Sequence, residues 1–379
     1  MDRMSLAVRE ELAPADHDPA TKRVLITGLS SYWGARLAQA LEGFEQIEAI
    51  IGVDSQEPTR ELERTEFVKV SNTHSLLQRI VRAAEIDTVI DARLIVNSVV
   101  APPRVAHENN VIGTMNILAA CSGADSPVRK VVFKSSTQTY GCEQADPAFF
   151  TERMRRRHPP RTMLERDITD AEEAVADFSE KHPDVTVTTL RMANVLGPDV
   201  ETTFTRMFRL PAVPMVLGFD PRLQFVHEDD VVHALEHAAF RVVPGVYNVA
   251  ADGVLALSEA ISLLGKRPLP ILPPFGTGLI AGPLRRLGLR FPDEMVNLLR
   301  FGRGVDNRLF KATGFDYAYT SRETLIKLGE HLRLDPVMRG HEEGYHYERE
   351  VEEFLRWSRH VRRAREAEGV GAHQEPLGF

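Results

Sequence analysis

The stretch from Lys22 to Asp54 constrains this chain most. Its core reads Val24-Leu25-Ile26-Thr27-Gly28-Leu29-Ser30-Ser31-Tyr32-Trp33-Gly34. An apolar run ends in glycine, an amphipathic segment follows with Trp33, Leu37, Leu41 and Phe44 on one face, and a second apolar run, Ala49 to Val53, stops at Asp54. The periodicities spell strand, tight turn, helix, strand, acid. The amide N–H groups that open a helix have no partner one turn earlier and lie at the positive end of its dipole, so such a turn can hold a dinucleotide diphosphate. An acid at the tip of the second strand is placed to accept hydrogen bonds from the adenosine ribose hydroxyls and would repel a 2′-phosphate, which favours NAD over NADP.

The glycine spacing departs from the usual one at Ser31, where glycine normally lets phosphate approach the backbone. A serine with negative φ can occupy that place and offer its hydroxyl to a phosphate. Two readings stand at this level: a dinucleotide site, or a strand-turn-helix connection that has lost its ligand.

Length and charge narrow the class. A chain of 379 residues accommodates one large α/β domain with an appended part, or two domains. A net charge of −8 provides no general basic field for nucleic acid or anionic lipid. Two cysteines, Cys121 and Cys142, supply neither a disulfide framework nor a metal cluster, which fits a cytoplasmic protein. The first 20 residues carry acids where a signal peptide has a basic start and are read as a disordered leader. The uncharged stretch 268–284 is too short and too interrupted by Pro and Gly to span a bilayer, and its end, residues 278–290, reads as a buried loop and helix or as a membrane-surface contact.

Further along, strands are expected at 67–70, 87–91, 131–134 and 185–190, alternating with helices at 73–85, 105–121 and 162–182. That alternation predicts a Rossmann-like, doubly wound parallel sheet over residues 21–198. Residues 199–343, with strand candidates at 223–226 and 246–249, read as a smaller substrate lobe interleaved with it. A charged helix over 344–368 either packs on the body or forms a homodimer contact, and 369–379 is a disordered tail.

The order of motifs resembles the extended short-chain dehydrogenase/reductase superfamily, in its NAD-dependent epimerase/dehydratase branch. The resemblance covers roughly residues 22–265. It rests on the Gly-rich turn, Asn110-Val-Ile-Gly113-Thr114, Ser135-Ser136 ahead of Tyr140-Gly141, Leu190-Arg191-Met-Ala-Asn194-Val-Leu-Gly197-Pro198, Phe225-Val-His227 leading to Asp230, and Val246-Tyr-Asn-Val249. It implies NAD as cofactor and a small-molecule ligand of the sugar-nucleotide kind. It places Gly28, Ser30, Ser31, Tyr32, Trp33, Gly34, Asp54, Arg93 and Ser135 against the cofactor, Asn194 and Arg222 against the substrate, and Ser136 as the catalytic serine. Ser71 falls where a third-strand Asp often holds adenine, and Arg93 replaces a small residue.

The same resemblance calls for a Tyr and a Lys one helical turn apart, the phenolate taking a proton while hydride moves to NAD. No tyrosine in this chain has a lysine four residues later. Counting back from Glu172, Leu164 takes the Tyr position and Ile168 the Lys position. Asp167, Glu165, His158 and Cys142 remain as titratable substitutes, and the arginines from Arg153 to Arg157 as a diphosphate clamp or a solvated loop. His233 and His237 are one turn apart but lack a third ligand at a diagnostic spacing. The sequence thus leaves open an unconventional NAD-dependent enzyme and a non-catalytic NAD-binding or sensing protein.

Overall fold

A computed structural model describes residues 21–70, 74–123, 125–271 and 293–338. The leader, the 272–292 segment, Ser71 and the C-terminal helix and tail lie outside the described residues.

The first half alternates strands and helices: β1 (Arg23–Thr27), α1 (Tyr32–Glu42), β2 (Ala49–Asp54), β3 (Thr65–Lys69), α2 (His74–Ala83) and β4 (Thr88–Asp91). Helix α3 runs through Pro103–His107, a π-helical stretch at Glu108–Gly113, and Thr114–Cys121. Then come β5 (Lys130–Ser136), a 3₁₀ turn at Thr137–Tyr140, β6 (Phe149–Phe150), α4 (Met163–Lys181), β7 (Thr186–Met192) and β8 (Asn194–Leu196). The second half contains α5 (Thr203–Arg209), β9 (Ala212–Val216), β10 (Arg222–Leu223), β11 (Phe225–His227), α6 (Glu228–Phe240), β12 (Gly245–Val249), β13 (Leu255–Ala256) and α7 (Leu257–Leu263). It closes with β14 (Arg267–Ile271), α8 (Asp293–Phe301), β15 (Gly302–Val305), α9 (Arg308–Lys311) and α10 (Ser321–Met338).

Seven parallel strands in the order β12-β7-β5-β4-β1-β2-β3 form the main sheet. Their apolar residues are buried on both faces, as a doubly wound sheet requires. One layer joins Val24, Ile26, Val132 and Leu190 to Leu37 and Leu41 of α1 and to Val231 and Leu235 of α6. The other joins Leu25, Val89, Val131 and Phe133 to Leu77, Ile117, Leu164 and Ile168 on α2, α3 and α4. Each fully buried side chain of this size contributes about 1.5–3 kcal/mol. Helix α4 begins where the Thr162 hydroxyl accepts the Glu165 N–H, so a cap residue sets its start as the sequence pattern implies.

A second core, with Phe204, Phe208, Phe225, Leu257, Leu298 and Leu325, belongs to the smaller lobe. Its four-stranded sheet has the order β13-β10-β15-β6. The expected boundary at residue 198 is therefore not a clean cut. Strand β6, in the first range, pairs with β15 of the lobe, and β12, in the second, pairs with β7 of the main sheet. The third strand also begins two residues earlier than its apolar run: β3 is an edge strand, and Thr65 and Glu66 pair with β2 ahead of Phe67. No described helix is long and apolar enough to cross a membrane.

Candidate active site

The C-terminal ends of β1, β4 and β5 bring together the Gly-rich turn, Asp91 with Arg93, and Lys134 with Ser136. Gly28 has φ +83°, open to glycine at little cost, and a Cβ on Gly34 would lie 2.2 Å from the Gly28 carbonyl oxygen. Both glycines are thus required by a turn that brings α1 onto β1. Ser31 caps α1 with φ −75°; its hydroxyl donates to the Gly28 carbonyl (2.6 Å) and accepts the Gly34 N–H (3.2 Å). The expected Ser31 hydroxyl contact to phosphate is corrected: that proton is spent within the turn. What the turn offers an anion is the opening of α1 at Tyr32 and Trp33, where N–H groups lack an intrahelical acceptor.

Asp54 ends β2 beside this turn. Its Oδ2 accepts the Ser30 N–H (2.9 Å) and hydroxyl (2.6 Å), and its Oδ1 accepts the Ser55 N–H (2.6 Å). Ser30 acts on the carboxylate and so orients the acid meant for ribose. The rings of Tyr32 and Trp33 meet edge to face at 4.9 Å, and burial raises the Tyr32 phenol far above its ordinary range.

Arg93 does not reach outward. Its side chain folds over Gly28 and Gly113, where a Cβ would lie 2.4 Å from Arg93 Cγ and 2.6 Å from Nη1 respectively. The guanidinium holds Asp91 with two contacts, Nε to Oδ1 at 3.0 Å and Nη2 to Oδ2 at 3.1 Å, and Thr27 donates to the same carboxylate at 2.8 Å. Burial alone would raise the Asp91 carboxyl, but Arg93 and Thr27 outweigh it and hold it below the usual range. The charge expected at the cofactor is therefore committed to a buried pair. Asn110 fastens the segment after β4 by exchanging two 2.8 Å bonds with the backbone of Ile95, which gives the Asn110 motif its physical reason.

Around β5 the two serines part company. Ser135 is buried and donates to Glu172, which also receives Arg191 at 2.5 Å; its hydroxyl is structural and not turned to a cofactor. Ser136 lies on the opposite pleat, with its hydroxyl oxygen accepting the Gln138 N–H at 3.2 Å. Tyr140, four residues on, faces away: its hydroxyl donates to Asn248 (2.7 Å), accepts from Arg191 (2.8 Å), and its ring stacks on Phe150. Leu164 and Ile168 on α4 are 4% and 0% exposed and sit in the apolar layer.

The other candidates are paired. Asp167 is buried against His107 at 2.8 Å, Glu165 receives Arg156 (2.5 Å) and the Arg161 N–H (2.8 Å), and burial pushes the Cys142 thiol up to about 11. Of the arginines from Arg153 to Arg157, Arg156 is bound to the Glu165 carboxylate, and Arg161, beyond that run, pairs with Glu143. Asn194 donates its side-chain amide to the Gln224 backbone carbonyl at 2.9 Å. Arg222 is exposed on β10 while its neighbour Leu223 is in the lobe core. His237 bonds Thr313, burial lowers it to about 4, and among the described residues no cluster of three metal-ligating groups exists.

One residue escaped the sequence reading. Lys134 ends the apolar run Val131-Val132-Phe133 and is only 4% exposed. A lysine inside a strand buried on both faces was the available signal. For NAD, the residues fit: the opening of α1 has N–H groups without an intrahelical acceptor, as a diphosphate requires, and the Asp54 carboxylate is braced beside it through Ser30.

The comparisons agree with this architecture. The model of the NAD dependent epimerase/dehydratase family matches residues 24–250. Uncharacterized proteins of Mycobacterium tuberculosis and Mycobacterium bovis are each 34% identical over 335 residues, covering 86% of this chain and 88% of theirs. Among solved structures, UDP-glucose 4-epimerase of Thermotoga maritima with UDP-glucose has a TM-score of 0.63 at 20% identity, covering 83% of this chain and 99% of that one. MoeE5 with UDP-glucuronic acid and NAD has a TM-score of 0.62 at 22% identity, with coverage of 83% and 99%. UDP-glucuronic acid 4-epimerase of Bacillus cereus with NAD reaches 0.62 at 16%, covering 82% and 96%. These structural likenesses bear on the fold. The chain belongs to the NAD-dependent epimerase/dehydratase family.

Proposed function

We propose that this family member binds NAD and a sugar-nucleotide-like ligand in one cleft without the tyrosine-based proton transfer of its relatives, and so works as an NAD-binding or sensing protein. The observation that carries this is the apolar burial of Leu164 and Ile168 on α4. A side chain in that layer can neither hold a phenolate nor steady one with an ammonium. Tyr140 does not substitute, because its hydroxyl is enclosed between Asn248 and Arg191.

A second reading, an unconventional NAD-dependent epimerase, dehydratase or reductase, is favoured by Ser136, whose hydroxyl proton has no recorded acceptor among the described residues. If bound, NAD would supply hydride acceptance, and this chain's Ser136 would hydrogen-bond the reacting oxygen. The relatives with UDP-glucose or UDP-glucuronic acid bound support a nucleotide-sugar ligand class.

Denaturing the purified protein and identifying released nucleotide by mass spectrometry tests the first statement, with NAD the expected species. Melting shifts with NAD, NADP and UDP-sugars extend it; a ligand at 100-fold its Kd should add about 2.7 kcal/mol. Absence of any dinucleotide, released or stabilising, refutes NAD binding. Interconversion of a UDP-sugar that Ser136→Ala abolishes would replace the first reading by the second.

A further inference from the structure

Lys134 lies two residues before Ser136 on β5 and on the same pleat. Its neighbour on that pleat, Val132, packs with α1, whereas Phe133 and Ser135 face α4. Its ammonium stands 5.3 Å from the centroid of Trp33, in the first turn of α1. Among the described residues it makes no hydrogen bond or ion pair. The carboxylate that acts on it, Asp91, is already held by Arg93 and Thr27. Burial pulls the amine down to about 8 against the opposing pull of Asp91.

A buried cation without an acceptor is unfavourable, and an aromatic face offsets only part of its desolvation. Such a group survives where a ligand completes it. The opening of α1, next to which it stands, is the part of the fold suited to an anion. From this juxtaposition we infer that Lys134 is a cofactor-binding residue whose ammonium meets the diphosphate received at the opening of α1. This rests on the NAD reading above. It gives the cleft a positive charge from the sheet, whereas Ile168 on α4 is buried in the apolar layer on the other face.

Calorimetric titration of the wild type and Lys134→Met with ADP, NAD and adenosine tests the assignment. Loss of one charge-assisted contact should weaken ADP and NAD about ten- to a hundred-fold and leave adenosine unchanged. The ligand-free melting point of Lys134→Met should not fall, unlike that of a variant lacking a structural side chain. Equal ADP affinity in both proteins overturns the assignment and leaves NAD binding intact, whereas a wild type that takes neither ADP nor NAD overturns both. If Lys134→Met does not fold, Lys134→Gln, which keeps a polar side chain without the charge, carries the same comparison.

Discussion

Replacing Lys134 with methionine should stabilise the ligand-free protein at neutral pH and remove part of its response to alkali. The amine falls from its ordinary 10.5 to about 8 in the folded chain because burial disfavours the ammonium. Between those values the unfolded chain holds a proton that the folded chain has released, so stability rises with pH across the window and the penalty is full below it. The fall from 10.5 to about 8 corresponds to a penalty of about 3 kcal/mol at pH 7, falling to about 1 kcal/mol at pH 10. Methionine fills a similar volume and never carries the charge. Urea unfolding of both proteins at pH 7 and pH 10 reads the difference directly, and groups common to both cancel. The variant should lead by up to about 3 kcal/mol at pH 7 and by much less at pH 10. A gap that does not change with pH, or a variant less stable at pH 7, refutes the claim that this ammonium is buried without an acceptor.

Three further outcomes follow from contacts already described. Gly34→Ala puts a Cβ 2.2 Å from the Gly28 carbonyl oxygen, so it should destabilise by about 1–3 kcal/mol and weaken ADP binding by displacing the opening of α1, both measurable in one melting series. Glu172→Gln removes the charge facing Arg191 while its amide oxygen can still accept from Ser135, and a loss of about 3–5 kcal/mol in urea unfolding is expected from the unpaired buried guanidinium. Asp230, raised to about 7 by burial against the opposing Ala318 and Tyr319 N–H groups, holds its proton in the folded chain above the pH at which the unfolded chain loses it. Stability should therefore decline as pH rises from about 4 to 7, and Asp230→Asn should flatten that part of the profile.

The main sheet was legible because its strands are apolar runs closed by Gly, Asp or Ser, and its helices carry periodic stripes and caps. Thr162 to His182 is the clearest instance: the expected range and α4 with its two cap residues coincide. Asp54 and the two turn glycines also lie where the pattern puts them. Side-chain direction was not legible. Arg93 turns inward because Asp91 is one strand end away in space and two residues away in sequence, and pattern alone does not say which neighbour wins its guanidinium. Ser31 gives up its hydroxyl because the Gly28 carbonyl, three residues earlier in the same turn, lies within 2.6 Å of it. Lys134 reads as one polar letter in a strand until the pleat assigns it to the α1 side.

The interleaving of the two sheets bears on how the cleft comes into being. The lobe sheet draws its strands from residues 149–150, 222–223, 255–256 and 302–305, and the main sheet waits for 245–249. Loops spanning that many residues must close before those pairings form, which makes assembly slow and dependent on distant parts of the chain. A fragment ending near residue 198 would keep the Gly-rich turn yet leave β7 as a bare edge and β6 without its partner. The pairings of β12 with β7 and of β15 with β6 are thus late products of folding, and chains cut short during synthesis would expose sticky strand edges.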